Sequence, residues 1–139
     1  VKHTPEFITE LAENQVFVFG SNLGGKHNGG GAKIALEKFG AIYGQGIGSQ
    51  GQSYAIPTLG FNFEKLHLDQ IASYVKQFLY YAFINPEKEF LVTEIGCGIA
   101  GYKHEQIAPL FLQFLPIKFL PNIVLPKRFF CSCKNNACV

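Results

Sequence analysis

At 139 residues, with 47% hydrophobic and 16% charged side chains, the chain is long enough for one ordinary core and too apolar to stay disordered. Its formal net charge of +2 is too small to argue for a nucleic-acid or anionic-membrane partner. Apolar runs are short and interrupted by Lys, Glu, Asn or Pro, and residues 1–14 carry Lys2, Glu6, Glu10 and Glu13. No bilayer span or signal-peptide apolar stretch is therefore expected, and the expected compartment is the cytoplasm.

In chain order, Val16-Phe17-Val18-Phe19 is a β-branched and aromatic run ended by Gly20, which predicts a buried strand. Residues 20–31 are rich in Gly, Asn and Ser and read as a loop. Ala32, Ala35, Leu36 and Phe39 recur at helical spacing, so a helix is predicted from near Gly30 to Gly40, where glycine can take the left-handed conformation of a helix stop. Residues 41–51 form a second glycine-rich passage, and Tyr54-Ala55-Ile56-Pro57-Thr58 predicts a strand with proline near its end. Leu68, Ile71, Ala72, Val75, Phe78, Leu79 and Ala82 mark the clearest amphipathic helix, closed by Asn85 and Pro86. Residues 90–95 predict a strand that runs straight into Gly96-Cys97-Gly98-Ile99-Ala100-Gly101. A third helix is expected to start between His104 and Ala108, because Pro109 is best tolerated in a first turn. A last short strand is expected over residues 122–125. This alternation predicts an α/β domain over residues 1–127 with a largely parallel sheet, helices on both faces, and an atypical cysteine-bearing tail over residues 128–139.

Twelve of the fifteen glycines fall between Gly20 and Gly60, and the other three sit in residues 96–101. Both clusters follow the carboxyl ends of predicted strands, where α/β sheets bind ligands. Backbone amides unshielded by a Cβ can form a concave nest for phosphate oxygens, and Gly29-Gly30-Gly31 also opens a helix, whose first amides favour an anion. Two familiar phosphate motifs fail. Gly46-Ile47-Gly48-Ser49-Gln50-Gly51 matches a dinucleotide fingerprint as a string, but a strand rather than a helix follows it. Gly25-Lys26 is followed by His27, not by the Ser or Thr of a P-loop.

Phe19-Gly20-Ser21-Asn22, Gly29-Gly30-Gly31-Ala32-Lys33, Tyr54-Ala55-Ile56-Pro57-Thr58 and Glu94-Ile95-Gly96-Cys97-Gly98-Ile99-Ala100-Gly101-Tyr102 together resemble a macrodomain in order and spacing, over roughly residues 16–125. The second loop is most similar to the subgroup that removes ADP-ribose from acidic side chains or nucleic acid bases. The resemblance implies a three-layer α/β/α sandwich with a mixed, largely parallel central sheet. It implies binding of ADP-ribose or an ADP-ribosylated protein or nucleic acid, with hydrolysis as a further expectation, and no cofactor. It would place Asn22 near the distal ribose, Gly29, Gly30 and Gly31 beside that ribose and the diphosphate, and the amides of residues 96–101 on the phosphates, with Gly20, Ser21 and Ala32 also among the ligand-binding residues. Tyr102 would close one side. Two departures stand out. Ala100 or Gly101 occupies the place of the subgroup's hydrolytic acid, and the early acidic residue that binds adenine has no counterpart. A module for another phosphorylated nucleotide or sugar, and an adaptor with no small ligand, are therefore alternatives.

Other residues are weighed on their chemistry. Asn22 and His27 are the candidate catalytic residues: His27, beside Lys26 in the first loop, is a candidate general acid or base near a bound phosphate, against the alternative of a solvated loop histidine. Glu94 can orient a water, or merely cap a strand. His104 is expected to be structural. Cys97 is either reactive or a small buried residue, the second being favoured. Gln45, Gln50 and Gln52 can hydrogen-bond a ribose or base, and Phe61 and Phe63 either stack on a base or pin their loop. Cys131 and Cys133 form a Cys-x-Cys pair and Cys138 follows, without a histidine to complete a zinc set, so no metal is expected.

Overall fold

The computed structural model describes residues 2–113 and 121–130. The chain runs β1 (Gln15–Asn22), α1 (Gly30–Lys38), β2 (Gly48–Gln50), β3 (Ser53–Leu59), α2 (Leu68–Phe83), β4 (Glu89–Val92), α3 (His104–Leu112) and β5 (Ile123–Val124), then a 3-10 turn at Lys127–Phe129. The strands form one mixed sheet in the order β2-β3-β1-β4-β5. Strands β3, β1, β4 and β5 are parallel to their neighbours, and β2 lies antiparallel on the edge of β3.

Alternation along β1 divides the core. Val16 and Val18 join Tyr54, Ile56, Phe90 and Val92 against the buried stripe of α2 (Ile71, Val75, Phe78, Leu79, Ala82) and against Ile107, Ala108 and Phe111 of α3. Phe17 and Phe19 instead pack on Ala55 and on Ala32, Ala35 and Phe39 of the α1 segment. Successive strand side chains point to opposite faces, so along β1 the residues that meet α1 alternate with those that meet α2 and α3. The first cluster is closed by Phe129, which is buried against Phe111 at 5.7 Å between ring centroids.

Local chemistry explains the element ends. Helix α1 stops at Phe39, and Gly40 follows with φ of +75°, a conformation in which a Cβ would crowd the carbonyl. Helix α2 begins where the His67 amide donates to Gln70 Oε1 at 2.9 Å. It ends where Asn122 Nδ2 donates to the carbonyl of Ala82 at 2.9 Å, occupying one of the acceptors a helix end leaves open.

Three boundaries differ from the sequence expectation. Strand β1 continues through Gly20, Ser21 and Asn22, which pair with Ile56, Pro57 and Leu59, so the first loop begins later. Strand β4 ends at Val92, where the Thr93 hydroxyl donates to the Val18 carbonyl at 2.7 Å and turns the chain out of the sheet. Pro109 lies in the second turn of α3, not the first. It is tolerated there because Glu105, whose carbonyl it leaves unpaired, lies on the exposed side of the helix.

Candidate functional site

Strand order places a switch point at the carboxyl end of β1. From β1 the chain crosses to β3 on one side through α1, and β4 lies on the other side of β1. Loops leaving β1 and β4 therefore diverge, and a crevice opens between them. A cleft of about 200 Å³ lies there.

Its walls come from three strand ends. Gly20, Ser21 and Asn22 contribute the end of β1, and Gly29, Gly30, Gly31 and Ala32 the first turn of α1. Gly96, Gly98, Ile99 and Ala100 contribute the loop after β4. Thr58, Leu59 and Phe63 close the third side, beyond β3. The two glycine clusters, about seventy residues apart in sequence, thus face one space.

The lining is built to present amides. Helix α1 has Gly29 at its N-cap and no side-chain cap, so the N–H groups of its first turn are left for a ligand or solvent. In the second loop the Cys97 amide is spent on the Glu94 carbonyl (3.3 Å), Gly101 on Gly98 (3.0 Å) and Tyr102 on Gly96 (2.9 Å). The amides of Gly98, Ile99 and Ala100 have no hydrogen-bond partner among the described residues.

Most polar side chains in the cleft are already committed. Asn22 accepts from the Lys26 amide and donates to the Lys26 carbonyl, both at 2.9 Å, so it clamps its own loop while one amide hydrogen stays available. Ser21 donates its hydroxyl to the Gly46 carbonyl, and Thr58 to the Ser21 carbonyl at 3.4 Å. Glu94 is the one carboxylate in the wall; its Oε1 lies 2.8 Å from His104 Nε2 and 3.7 Å from the Arg128 guanidinium. Lys26 is the one cation in the wall.

Several expected residues lie elsewhere. His27 is not in the cleft wall and is not solvated. It is 1% exposed, edge-on to Phe19, with Nε2 3.2 Å from Gln50 Oε1, so no general acid or base role at this cleft follows for it. Cys97 also falls outside the wall; burial, with Glu94 nearby, pushes its thiol up to about 11. A thiol raised in this way is a poor nucleophile at neutral pH, and the half-buried side chain packs as a small apolar residue on the larger core cluster. Gly101 and Tyr102 are likewise absent from the wall, and the Tyr102 hydroxyl donates to the Leu66 carbonyl. Gln50 donates to the carbonyls of Gln45 and Gly48 and accepts from the Ile42 amide, Gln45 bonds Ile47 and Ser49, and Gln52 bonds Ala12 and Gln15. All three glutamines therefore brace loops rather than reach a ligand.

Thr58, Leu59 and Thr93 enter the wall without having been assigned to it, because only the fold brings the β3 and β4 ends beside β1; Lys26 and Asn28 join it from the loop between β1 and α1, and Glu94 stands there as one of its two sequence readings allowed. Among the described residues no three or more His, Cys, Asp or Glu side chains cluster to hold a metal ion, and no helix is long and apolar enough to cross a membrane. Cys131, Cys133 and Cys138 lie outside the described residues. Comparison of the chain with protein-family models, with curated proteins and with solved structures finds no match in any of the three, so the cleft is interpreted from its own geometry.

Proposed function

We propose that the chain is a macrodomain-like, three-layer α/β/α domain acting in the cytoplasm, and that its cleft binds ADP-ribose or the ADP-ribosyl group of a modified protein or nucleic acid. In this reading the diphosphate lies against the first-turn amides of α1 and the amides of Gly98, Ile99 and Ala100. Asn22 offers its remaining N–H to a ribose hydroxyl. One observation carries the reading: two glycine runs distant in sequence line a single crevice at the switch point, and amides in both are uncommitted. Such a wall suits an anion, since its single carboxylate is occupied by His104 and Arg128. Turnover of the bound adduct would rely on Glu94 to orient water, as no other acidic side chain lines the cleft.

A smaller phosphorylated sugar is the second reading. It is favoured by the cleft's volume of about 200 Å³, below the ~300–1,000 Å³ usual for small-molecule pockets. Calorimetric titration with ADP-ribose, AMP, ribose 5-phosphate and NAD separates the two. The expected result is micromolar binding of ADP-ribose with much weaker binding of ribose 5-phosphate. Gly98→Glu is the control. A Cβ at Gly98 meets no atom within 4 Å, so the fold is kept while a carboxylate enters the phosphate position, and binding should be lost. If none of the four ligands binds, the proposal fails; if ribose 5-phosphate binds as tightly as ADP-ribose, the second reading replaces it. Release of ADP-ribose from an ADP-ribosylated protein would show turnover as well as binding.

A further inference from the structure

The lining of the cleft reverses direction at one residue. Lys26 and Asn28 both stand in its wall, whereas His27 between them turns inward and is 1% exposed. Its ring lies edge-on to Phe19 at 5.2 Å between centroids, and Nε2 is 3.2 Å from Gln50 Oε1. Gln50 decides which ring nitrogen carries the proton. Its Nε2 donates to the carbonyls of Gln45 and Gly48, both at 3.2 Å, so Oε1 is the atom that faces His27 and the Ile42 amide. The neutral imidazole therefore holds its hydrogen on Nε2 and leaves Nδ1 bare, buried and without a partner among the described residues. A phenyl ring would fill the recess beside Phe19 without stranding a nitrogen. What histidine adds there is one donor, aimed at Gln50.

Gln50 is in turn fixed by the second glycine-rich passage, residues 41–51, which matched a phosphate motif only as a string. The Gly44 amide donates to the Gly25 carbonyl at 2.8 Å, and the Ser21 hydroxyl donates to the Gly46 carbonyl. A Cβ at Gly25 would lie 2.3 Å from the Gln45 nitrogen, and one at Gly46 would lie 2.2 Å from the Asn22 carbonyl oxygen. The two loops thus meet backbone to backbone, which only glycine allows. Asn22 clamps Lys26, the residue before His27, by both of its backbone groups at 2.9 Å, and Gly29, the N-cap of α1, follows two residues after His27. We propose that His27 is a positioning residue of the cleft: as the Nε2–H tautomer, anchored on Gln50, it sets the path of residues 26–29 and so the direction of the first amides of α1 toward the phosphates. The passage 41–51 is then the platform behind the site and not a second phosphate loop. This role rests on the phosphate-binding reading above, and His27 itself touches no ligand atom.

Long-range proton–nitrogen correlation NMR of the full chain reads the tautomer without any ligand. The chain has four histidines, and His27→Phe identifies the set of ring signals that belongs to His27. A protonated Nε2 and a bare Nδ1 are expected; a hydrogen on Nδ1 would overturn the anchor on Gln50 and the proposal with it. Affinity is read by calorimetric titration of the parent, His27→Phe and His27→Gln with ADP-ribose, with thermal unfolding of each alongside. His27→Phe keeps the ring beside Phe19 and strands no nitrogen, so it should unfold close to the parent's midpoint. Its affinity should nevertheless fall about tenfold, the lower end of what losing a supporting partner costs in metal sites. His27→Gln restores an N–H donor and should bind within about threefold of the parent. A side chain that only fills space predicts the reverse order, with His27→Phe at parent affinity, and that result would overturn the role. If the parent itself binds no ADP-ribose, the phosphate-site reading is overturned and the positioning role falls with it, a failure that the parent titration alone identifies.

Discussion

Cys97 stands between two glycines in the second loop, a setting that suggests reactivity in the sequence and loses it in the fold. Its thiol is half-buried, faces the Ile95 carbonyl at 3.5 Å and is raised to about 11 by burial first and by Glu94 second. It should therefore stay protonated at pH 7 and react slowly with iodoacetamide. Peptide-level mass spectrometry would show Cys97 alkylated well after an unfolded control, and equal rates would contradict this placement. His27 carries the same lesson in a different form. Its position after Lys26 suggests a loop histidine near the phosphate, yet it turns inward against Phe19 and Gln50. The side chain that does stand in the cleft, Phe63, sits in a loop where composition left stacking and pinning equally plausible. No local pattern distinguishes an inward from an outward loop residue, since the direction depends on contacts from segments far away in sequence.

At the scale of elements, periodic segments were legible and short irregular ones were not. Helix α2 and strands β1, β3 and β4 announce themselves through repeated apolar positions, and the Gly40 stop through its residue type. Strand β2, a three-residue Gly-Ser-Gln segment without a β-branched or aromatic side chain, is held by pairing with β3 and was legible only as part of a glycine-rich passage. Its last residue, Gln50, is 3% exposed and joins the neighbouring loops through His27, the Ile42 amide and the carbonyls of Gln45 and Gly48. Through His27 it fixes the loop that leads into α1. Gln50→Ala leaves the buried His27 Nε2 without its partner and removes three part-buried loop bonds, which should cost about 1–3 kcal/mol, the penalty of one stranded buried group. Urea unfolding would read that loss, and the same variant should bind ADP-ribose more weakly although Gln50 does not line the cleft. Gly40→Ala gives a milder comparison. Its Cβ would lie 3.0 Å from the Gly51 Cα at φ of +75°, and the left-handed conformation alone should cost ~1–2 kcal/mol.

For the whole molecule, the α/β class and the position of the two glycine runs at strand ends were readable, whereas their convergence required the strand order, which no sequence period encodes. The assembled fold also sets how stability responds to pH. At the acid end, hydrogen bonds from Lys2 and then Gln15, both 2.8 Å, hold Glu89 below its ordinary range. That contribution is present above the unfolded glutamate value and is lost as pH falls through the lower folded one, but Lys2 is largely exposed and the effect should be small. The alkaline end is governed by Tyr54, 6% exposed beside Phe78, whose hydroxyl is pushed from 10.0 to about 12 by burial and then by Tyr81. Cys97 is displaced in the same direction, from 9.0 to about 11. Between these values the unfolded chain releases its protons while the folded one retains them, so ionisation favours unfolding and stability must fall as pH rises. The decline should begin near pH 9, where the unfolded thiol titrates, and steepen above pH 10, where the unfolded phenol follows. Urea midpoints taken at intervals from pH 7 to pH 11 would trace it. Tyr54→Phe keeps the ring against Phe78 and removes the ionising group, so it should flatten the part of the curve above pH 10 and leave the part below unchanged. A parent profile that stays level to pH 11, or a variant profile that falls as steeply as the parent's, would mean that Tyr54 is not held protonated by this core.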